Sequence, residues 1–437
     1  MTRLREQAEF SLASGRTSEE GREMQGRQNR GFSAKIAMIF ALVFVMIAMP
    51  AGAQPAHAAC KNSGSFSKWL NGFRREAIAT GIKKQTVRRA LANISYDPSI
   101  IRRDRRQSIF ALSFLQFSDK LATIRRQRVG RKKIKKHRAV YNRAQKEFGV
   151  PPEVITAFWA LESDFGTGMG NLSVLRSLAT LAYDCRRGPM FRRQLMAALQ
   201  IIERGDLSPK EMIGSWAGEL GQTQMMPEHY LRDAIDYDGD GHANLFRSVT
   251  DIIGSTGKYL KYLGWRKGQP WIEEVRVPKK MDWKEADLAI QHTRSQWAKW
   301  GVRRANGKPL IEDGMEASLL LPMGRFGPAF LAYHNFRVVY LKWNESFTYS
   351  LTAAYLATRI GGAKQLRRGP KGLAALTYKQ NKLLQRILTR MGYDVGAIDG
   401  KLGAKSRAAV KAVQIRLGLP ADSFPTPSLL RRLQRRS

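Results

Sequence analysis

The stretch that most restricts how this chain can fold is residues 154–170, an apolar segment that ends in a carboxylate and three glycines. Apolar side chains on most sides of a helix indicate that the helix is buried rather than amphipathic. The residues that carry the pattern, including two prolines that favour the helix start, are Pro151, Pro152, Ile155, Phe158, Trp159, Leu161, Gly166, Gly168 and Gly170. We therefore predict a core helix whose carboxyl end opens onto a tight glycine loop.

Glu162 lies in the last turn of this helix, where the apolar segment meets the glycine loop. Partial desolvation favours the protonated form of a carboxylic acid, and a general acid must hold its proton until it meets the leaving oxygen. Glu162 is therefore a candidate general acid; the alternative is a structural or surface glutamate that follows a core helix. Asp164 cannot flank the same bond, because positions i and i+2 point about 200° apart on a helix, and we predict that it closes the helix end.

The charge balance limits the partners of the chain. Lys and Arg number 74 against 36 Asp and Glu, which gives a formal net charge of +38. Such a chain needs a polyanion or an anionic surface, and nucleic acid, anionic lipid and a carboxylate-bearing cell-wall polymer all qualify. The densest basic run, residues 125–138, is either a solvated helix face or an anion-facing rim beside the helix of Glu162. It lacks the interleaved aromatic residues of a single-stranded nucleic-acid platform.

The N-terminal residues predict export. Lys35 precedes an uninterrupted apolar run, residues 36–49, which is shorter than the roughly 18–20 residues of a membrane span. Small residues around Ala58 fit a signal cleavage site. We predict an N-terminal extension and export signal over residues 1–59 and a periplasmic protein. An uncleaved membrane anchor and lipidation at Cys60 are the alternatives.

The chain has two cysteines, Cys60 and Cys185, both in the part predicted to be exported. An even number of cysteines in an oxidising compartment predicts one disulfide between them. Two free thiols are the alternative.

A glycine-rich strip over residues 213–230 suits a sugar ligand. Its small residues allow close approach of the backbone, while Gln222 and Gln224 offer amide donors and acceptors. Hydroxyl and acetamido groups of a sugar would meet these amides.

The segment 236–244 has the front half of a calcium-binding loop, with carboxylates at positions 1, 3 and 5 and glycine at position 6. Position 12, where a bidentate glutamate is expected, is Arg247, and Asp251 is the candidate substitute. The candidate ligands are Asp236, Asp238, Asp240, His242 and Asp251. Structural calcium and a turn held by Asx hydrogen bonds both remain open, and no cofactor is required.

The periodicity of the whole chain predicts a mainly α (α+β) protein with two domains. Helical patterns cover residues 64–125 and 172–202 and return at 335–360, whereas short β-rich pieces between 271 and 335 predict a small strand-containing insertion. A linker rich in Gly, Lys and Arg precedes a small helical unit. The predicted boundaries are 60–362 for the larger domain, 363–375 for the linker and 376–437 for the C-terminal domain.

Four motifs, taken in order, resemble the B-type lytic murein transglycosylases, a family with a lysozyme-like helical core. They are LESDFG at 161–166, GSWAGELGQTQMMP at 214–227, DYDGDGHANL at 236–245, and NFRVVYLKWNES at 335–346 followed by Tyr349. The resemblance covers residues 64–362. Residues 379–433, with Gln385 and Gln414, resemble the helical peptidoglycan-binding domain that accompanies many wall enzymes.

The resemblance implies that Glu162 is the sole catalytic acid and base. It would protonate the oxygen between N-acetylmuramic acid and N-acetylglucosamine and then accept the proton of the muramyl 6-hydroxyl, leaving a 1,6-anhydro end. The substrate contacts that the resemblance implies are Ser215, Gln224, Tyr259, Trp343, Asn344 and Tyr349. Trp343 stands where the family usually has tyrosine, so the position of its hydrogen-bond donor differs.

The expected partners are the glycan strands of peptidoglycan, and the N-terminal segment offers a means of membrane attachment. We expect a monomer and no nucleic-acid ligand, because the chain lacks the zinc, helix-turn-helix and RNA-binding signatures. Two other functions remain as alternatives. One is a muramidase that hydrolyses the same bond, and the other is a non-catalytic wall-binding protein.

Overall fold

The computed structural model describes residues 64–105, 112–370 and 373–435. Most of these residues are helical, which confirms the predicted fold class. The helices are α1 (Phe66–Ala79), α2 (Lys84–Leu91), α3 (Pro98–Arg105), α4 (Phe114–Leu121), α5 (Ile124–Lys136), α6 (Arg138–Phe148), α7 (Pro152–Ser163), α8 (Val174–Tyr183), α9 (Gly188–Arg204), α10 (Pro227–Asp233), α11 (Val249–Tyr262), α12 (Arg294–Lys299), α13 (Leu341–Trp343), α14 (Phe347–Ile360), α15 (Tyr378–Arg390), α16 (Ala404–Arg416) and α17 (Pro427–Gln434). The strands are β1 (Leu172–Ser173), β2 (Ile213–Gly214), β3 (Ile272–Arg276), β4 (His292–Thr293), β5 (Arg303–Arg304), β6 (Glu316–Leu320) and β7 (Ala329–Ala332).

Helix α7 is the central helix that the sequence predicts. All of its residues from Val154 to Ser163 are buried, and α5, α6, α11 and α14 pack around it. Pro152 occupies its first turn, where a missing backbone N–H costs nothing. It ends at Ser163, and the next residue, Asp164, has a left-handed φ of 53°, so the chain turns sharply after the helix.

Two antiparallel sheets accompany the helices. Strands β1 and β2 form a short pair, and a five-stranded sheet has the order β4-β6-β7-β3-β5. The larger sheet lies within the predicted insertion. Its longer strands begin and end within two residues of the β-rich pieces that the sequence predicts at 274–277, 317–321 and 329–333. Trp297 is fully buried in the core of this insertion, where its Nε1 donates to the Ala317 carbonyl at 2.9 Å.

The chain returns to the first domain through an interrupted helix rather than the continuous one predicted over residues 335–360. A π-helical segment, Asn335–Tyr340, runs into α13, and the chain then extends at Asn344 before α14 begins. Ser346 caps α14 by accepting a hydrogen bond from the Tyr349 backbone N–H. The interruption brings the ends of α13 and α14 close together.

The C-terminal domain is a three-helix unit formed by α15, α16 and α17 around its own apolar core. Gln385 is buried at its centre, where its amide donates to the carbonyls of Ala397 and Lys401 and accepts from the Gly400 N–H. The Gln385 side chain therefore supplies hydrogen bonds to backbone groups of the loop between α15 and α16, where no helix or strand provides them.

Two predictions about the N-terminal part meet different outcomes. Cys185 is disulfide-bonded, whereas its pairing with Cys60 stays a prediction. Cys60 itself and the predicted export segment, residues 36–49, lie outside the described residues. Across the described ranges, no helix is both long enough and apolar enough to cross a membrane.

Candidate active site

The side chain of Glu162 is buried, with the residue 5 % exposed, at the end of α7. The indole Nε1 of Trp343 donates to its Oε1 at 2.9 Å, and the Tyr349 hydroxyl donates to the same oxygen through a short hydrogen bond. Two donors on one oxygen fix the carboxyl plane and leave Oε2 as the atom that can exchange a proton.

The two donors reach Glu162 because of the break between α13 and α14. Trp343 is the last residue of α13, and Tyr349 lies in the first turn of α14. Ser350 stabilises this break by donating to the carbonyls of Tyr340 and Asn344. The local interruption of a helix thus supplies both contacts to the carboxyl group.

A layer of aromatic rings supports this arrangement. The Trp343 ring stacks on Phe158 with centroids 4.2 Å apart, and its centroid lies 5.1 Å from that of Tyr259. The Tyr259 hydroxyl is hydrogen-bonded to His229 Nδ1 at 3.0 Å. Of the predicted substrate contacts, Trp343 and Tyr349 therefore contact the Glu162 carboxyl group, and Tyr259 packs against Trp343.

The loop after Glu162 is held by charge and by close packing. Asp164 forms ion pairs with Arg125 and Arg126 from the start of α5, which confirms its predicted structural role. The left-handed Gly166 lies where a Cβ would be 2.5 Å from the Gln222 amide oxygen, so a larger residue would displace that side chain. Gln222 in turn accepts from Trp159 Nε1 at 2.8 Å.

Ser215 and Gln224 lie on the glycine-rich strip, and their described hydrogen bonds are to the protein. The buried Ser215 hydroxyl donates to Glu219 Oε2 at 3.0 Å and accepts from the backbone N–H groups of Ala217 and Glu219. The Gln224 amide donates to the carbonyls of Met169 and Gly221. Gln224 therefore holds the strip against the loop that follows Glu162, whereas Ser215 stabilises the turn within the strip.

Glu219 is a site residue that the sequence analysis missed. Only 1 % of the residue is exposed, and a buried carboxylate is costly unless it is hydrogen-bonded. The signal was present in the sequence, because Glu219 is the one ionisable residue among the small and apolar residues of the strip between 213 and 227.

Asn344 lies beside a cavity of about 570 Å³ between the first and C-terminal domains. Its Oδ1 accepts the Ser346 N–H, and the cavity wall continues through Phe347 to Lys401 of the C-terminal domain. Glu162 does not line this cavity, so the site is assigned on the carboxyl group and its donors rather than on cavity size.

Three of the five candidate calcium ligands lie close together. Oxygen atoms of Asp236, Asp238 and Asp251 lie within 4.8 Å of one another, as the predicted substitution by Asp251 requires. Asp240 and His242 lie outside this cluster of described carboxylates, and Asp240 Oδ1 instead accepts the His242 backbone N–H. Asp236 likewise accepts backbone N–H groups of its own loop, from Gly239, Asp240 and Gly241, so the cluster is defined by the spacing of its carboxylates.

Asp251 and Arg247, the two residues considered for position 12, have different partners. Asp251 is fully buried, and it accepts backbone N–H groups from Tyr237, Asp238 and Asn244, which ties α11 to the loop. Arg247, at position 12, turns away to pair with Glu211 at 2.6 Å. Three carboxylates with oxygen donors only are the chemistry that calcium prefers.

Two families match the chain. The Transglycosylase SLT domain family matches residues 65–358, and the peptidoglycan binding domain family matches residues 378–433. The first match covers more than half of the chain and contains every predicted site residue from Glu162 to Tyr349.

Solved structures share the fold. SltB3 from Pseudomonas aeruginosa in complex with NAG-anhNAM-pentapeptide is 41 % identical, with a TM-score of 0.79 over 85 % of this chain and 100 % of that chain. The Escherichia coli lytic transglycosylase Slt35 in complex with calcium is 26 % identical, with a TM-score of 0.58 over 71 % of this chain and 98 % of that one.

A curated relative covers a shorter stretch. The membrane-bound lytic murein transglycosylase B of Escherichia coli strain K12 is 41 % identical over 128 residues. The alignment spans 29 % of this chain and 35 % of that relative, about a third of its length.

Proposed function

The chain belongs to the Transglycosylase SLT domain family, and from this premise we propose that it is a lytic murein transglycosylase. Its substrate is the glycan strand of peptidoglycan, cleaved between N-acetylmuramic acid and N-acetylglucosamine to leave a 1,6-anhydromuramyl end. The observation that carries the proposal is the buried Glu162 carboxyl group, held through one oxygen by Trp343 and Tyr349.

Glu162 acts first as an acid and then as a base. The proton on Oε2 passes to the glycosidic oxygen as the bond from that oxygen to C1 breaks, and the bonding electron pair leaves with the oxygen. The muramyl 6-hydroxyl oxygen then bonds to C1, and its proton returns to Oε2. No water is consumed, and the carboxyl group ends in its starting protonation state.

The proposed mechanism needs no second carboxylate. Asp164, the nearest acidic residue in sequence, is engaged by Arg125 and Arg126. The positive charge that develops at C1 is stabilised by the acetamido group of the substrate, as in the substrate-assisted glycosidases. The role of the protein is to hold Oε1 still and to shield the carboxyl group from bulk water.

We further propose that calcium binds Asp236, Asp238 and Asp251. The ion would neutralise three carboxylates that lie within 4.8 Å of one another and would clamp the loop to α11. Its contribution is structural, because these carboxylates bond to backbone groups of the loop itself and form no hydrogen bond with Glu162 in the described structure.

We propose a periplasmic, monomeric enzyme whose N-terminal segment directs export and can attach it to the membrane. The apolar run at residues 36–49 supports this, as does the membrane-bound relative. The C-terminal domain would hold the enzyme on insoluble wall, since its family is described as peptidoglycan-binding.

The proposal is tested with purified sacculi and mass spectrometry. We expect the wild-type chain to release muropeptides with anhydro ends, lighter by one water than reducing ends. Glu162→Gln, which keeps the side-chain size, should lose activity by several orders of magnitude and still sediment with sacculi. Reducing ends would identify a muramidase instead, and equal turnover by Glu162→Gln would refute the assigned role of this residue.

A further inference from the structure

Six basic residues lie on one face of α5 and are exposed; together we call them the basic stripe. They are Arg125, Arg128, Arg131, Lys132, Lys135 and Lys136. At 100° per residue they fall within an arc of about 140°, and at 1.5 Å per residue they span about 17 Å. The helix sequence, IRRQRVGRKKIKK, contains no acidic residue.

The opposite face of α5 fixes the stripe beside the proposed active site. Gly130 packs so closely on α7 and α14 that a Cβ there would lie 3.0 Å from Thr156 and from Ile360. Lys133 lies over the Trp159 ring at 4.8 Å. At the start of the helix, Arg125 pairs with Asp164, two residues beyond Glu162. The stripe therefore begins at the loop of the proposed general acid and faces outward along the helix.

Most of the stripe's charge has no counter-charge within the described part of the chain. Arg125 pairs with Asp164 and Arg131 donates to the Arg359 carbonyl, whereas the other four form no ion pair with a described residue. Like charges three and four positions apart destabilise a helix. The negative end of the α5 helix dipole offsets this repulsion at Lys135 and Lys136, but it does not reach the residues nearer the start of the helix.

The electrostatic effect of the stripe extends to its neighbours. Burial and then the nearby Lys136 lower the pKa of Lys133, and the same two causes lower the pKa of His137. A positive potential of this kind on a rigid helix attracts carboxylates.

We propose that the basic stripe binds the stem-peptide carboxylates of the glycan strand that occupies the active site, so that it holds the polymer beside Glu162. This rests on the proposed function. The position of the stripe, which starts at the Glu162 loop, favours the substrate polymer over a separate partner. An anionic membrane is less suited, because a membrane-binding helix needs apolar side chains beside its charges, and Ile124 is the one apolar residue of α5 in the exposed class.

The test uses the full chain carrying Glu162→Gln, so that binding is measured without cleavage. The stripe variant adds Arg128→Glu, Lys132→Glu, Lys135→Glu and Lys136→Glu. The matched control instead adds Arg88→Glu, Arg89→Glu, Arg102→Glu and Arg103→Glu, which change the net charge equally at exposed positions of α2 and α3. Glutamine replacements at the four stripe positions remove the positive charge without reversing it. Melting curves for all variants show whether each one is folded.

We expect the stripe variant to sediment with sacculi at least tenfold more weakly than its parent at low salt, with the glutamine version in between. The difference should shrink below about twofold at 0.5 M salt, where the Debye length is only a few ångströms. The control should stay within about twofold of its parent. Equal losses in both variants would show that net charge alone matters and would overturn the proposal.

Two further measurements identify the ligand. Amidation of the sacculus carboxylates should remove the difference between the stripe variant and its parent; a difference that persists would refute carboxylate binding. Vesicles containing anionic phospholipid should bind the stripe variant and the control variant equally, because both lose the same charge, and a loss confined to the stripe variant would assign the stripe to a membrane. With Glu162 restored, the stripe variant should cleave soluble glycan that lacks stem peptides at the wild-type rate. Absence of cleavage by the wild type itself would contradict the proposed function rather than the stripe.

Discussion

At the scale of single residues, the position of Glu162 can be predicted from the sequence, but its hydrogen-bond donors cannot. Its position on an apolar helix before a glycine loop is visible in the sequence, and so is the unsuitability of Asp164 as its partner. Its hydrogen-bond donors are not visible, because Trp343 and Tyr349 lie 181 and 187 residues further along the chain. Glu219 was missed for a related reason, since burial depends on elements that pack from elsewhere.

Replacement of Trp343 by phenylalanine should lower kcat and leave KM nearly unchanged. The ring would still stack on Phe158, but Oε1 of Glu162 would lose one of its two donors. Hydrogen bonds to charged or ionisable groups contribute about 1.5–3 kcal/mol, so we expect a fall in kcat of about 10- to 100-fold. Steady-state kinetics on soluble muropeptides, with product masses as the readout, measure this.

The matched control is Trp297→Phe, which also removes a buried indole N–H bond, here to Ala317 in the insertion core. It should lower the melting temperature and leave kcat within about twofold of the wild type. A kcat that Trp343→Phe does not change, or an effect confined to KM, would show that Trp343 binds substrate instead of positioning Glu162.

At the scale of elements, the sequence predicts helices and strands well where the apolar period is strong. Helix α7 and strands β3, β6 and β7 match the prediction closely. The interruption between α13 and α14 is not predicted, because the helical period continues through Asn344. The side chains of Asn344 and Ser346 accept nearby backbone N–H groups and that of Ser350 donates to the Asn344 carbonyl, and these local bonds favour the break. Capping at the start of α14 therefore outweighs the apolar period, which favours one long helix.

The calcium loop offers a test at the same scale. Calcium that binds only the folded chain should raise the melting temperature, and a chelator should reverse the rise. Asp251→Asn should abolish the calcium-dependent rise, because this residue supplies the carboxylate that position 12 lacks. Asp240→Asn, whose carboxylate lies outside the cluster, should retain it. Scanning calorimetry with and without calcium measures the rise, and equal effects of both substitutions would contradict the three-residue site.

At the scale of the whole molecule, the two domains and the glycine-rich segment between them are predictable from composition and periodicity. The contact between the domains is not, because it joins residues far apart in sequence. Arg407 of the C-terminal domain donates to the Leu321 carbonyl, Asp422 accepts the Arg325 N–H, and Lys411 pairs with Asp287 at 2.8 Å. The C-terminal domain is therefore docked against the insertion rather than tethered at a distance.

The ion pair between Asp287 and Lys411 makes this docking testable. Asp287→Lys would place two ammonium groups against each other in a partly buried contact, where their repulsion is screened less than at an open surface. We expect faster proteolysis in the segment between the domains and faster amide exchange in α16, with kcat on short soluble glycans nearly unchanged because Glu162 and its donors lie elsewhere. The exchanged pair, Asp287→Lys with Lys411→Asp, should restore protection, since it reverses the charges without removing the attraction. If the single variant stays fully protected, or the exchanged pair fails to recover, the docking depends on the contacts of Arg407 and Asp422 rather than on this pair.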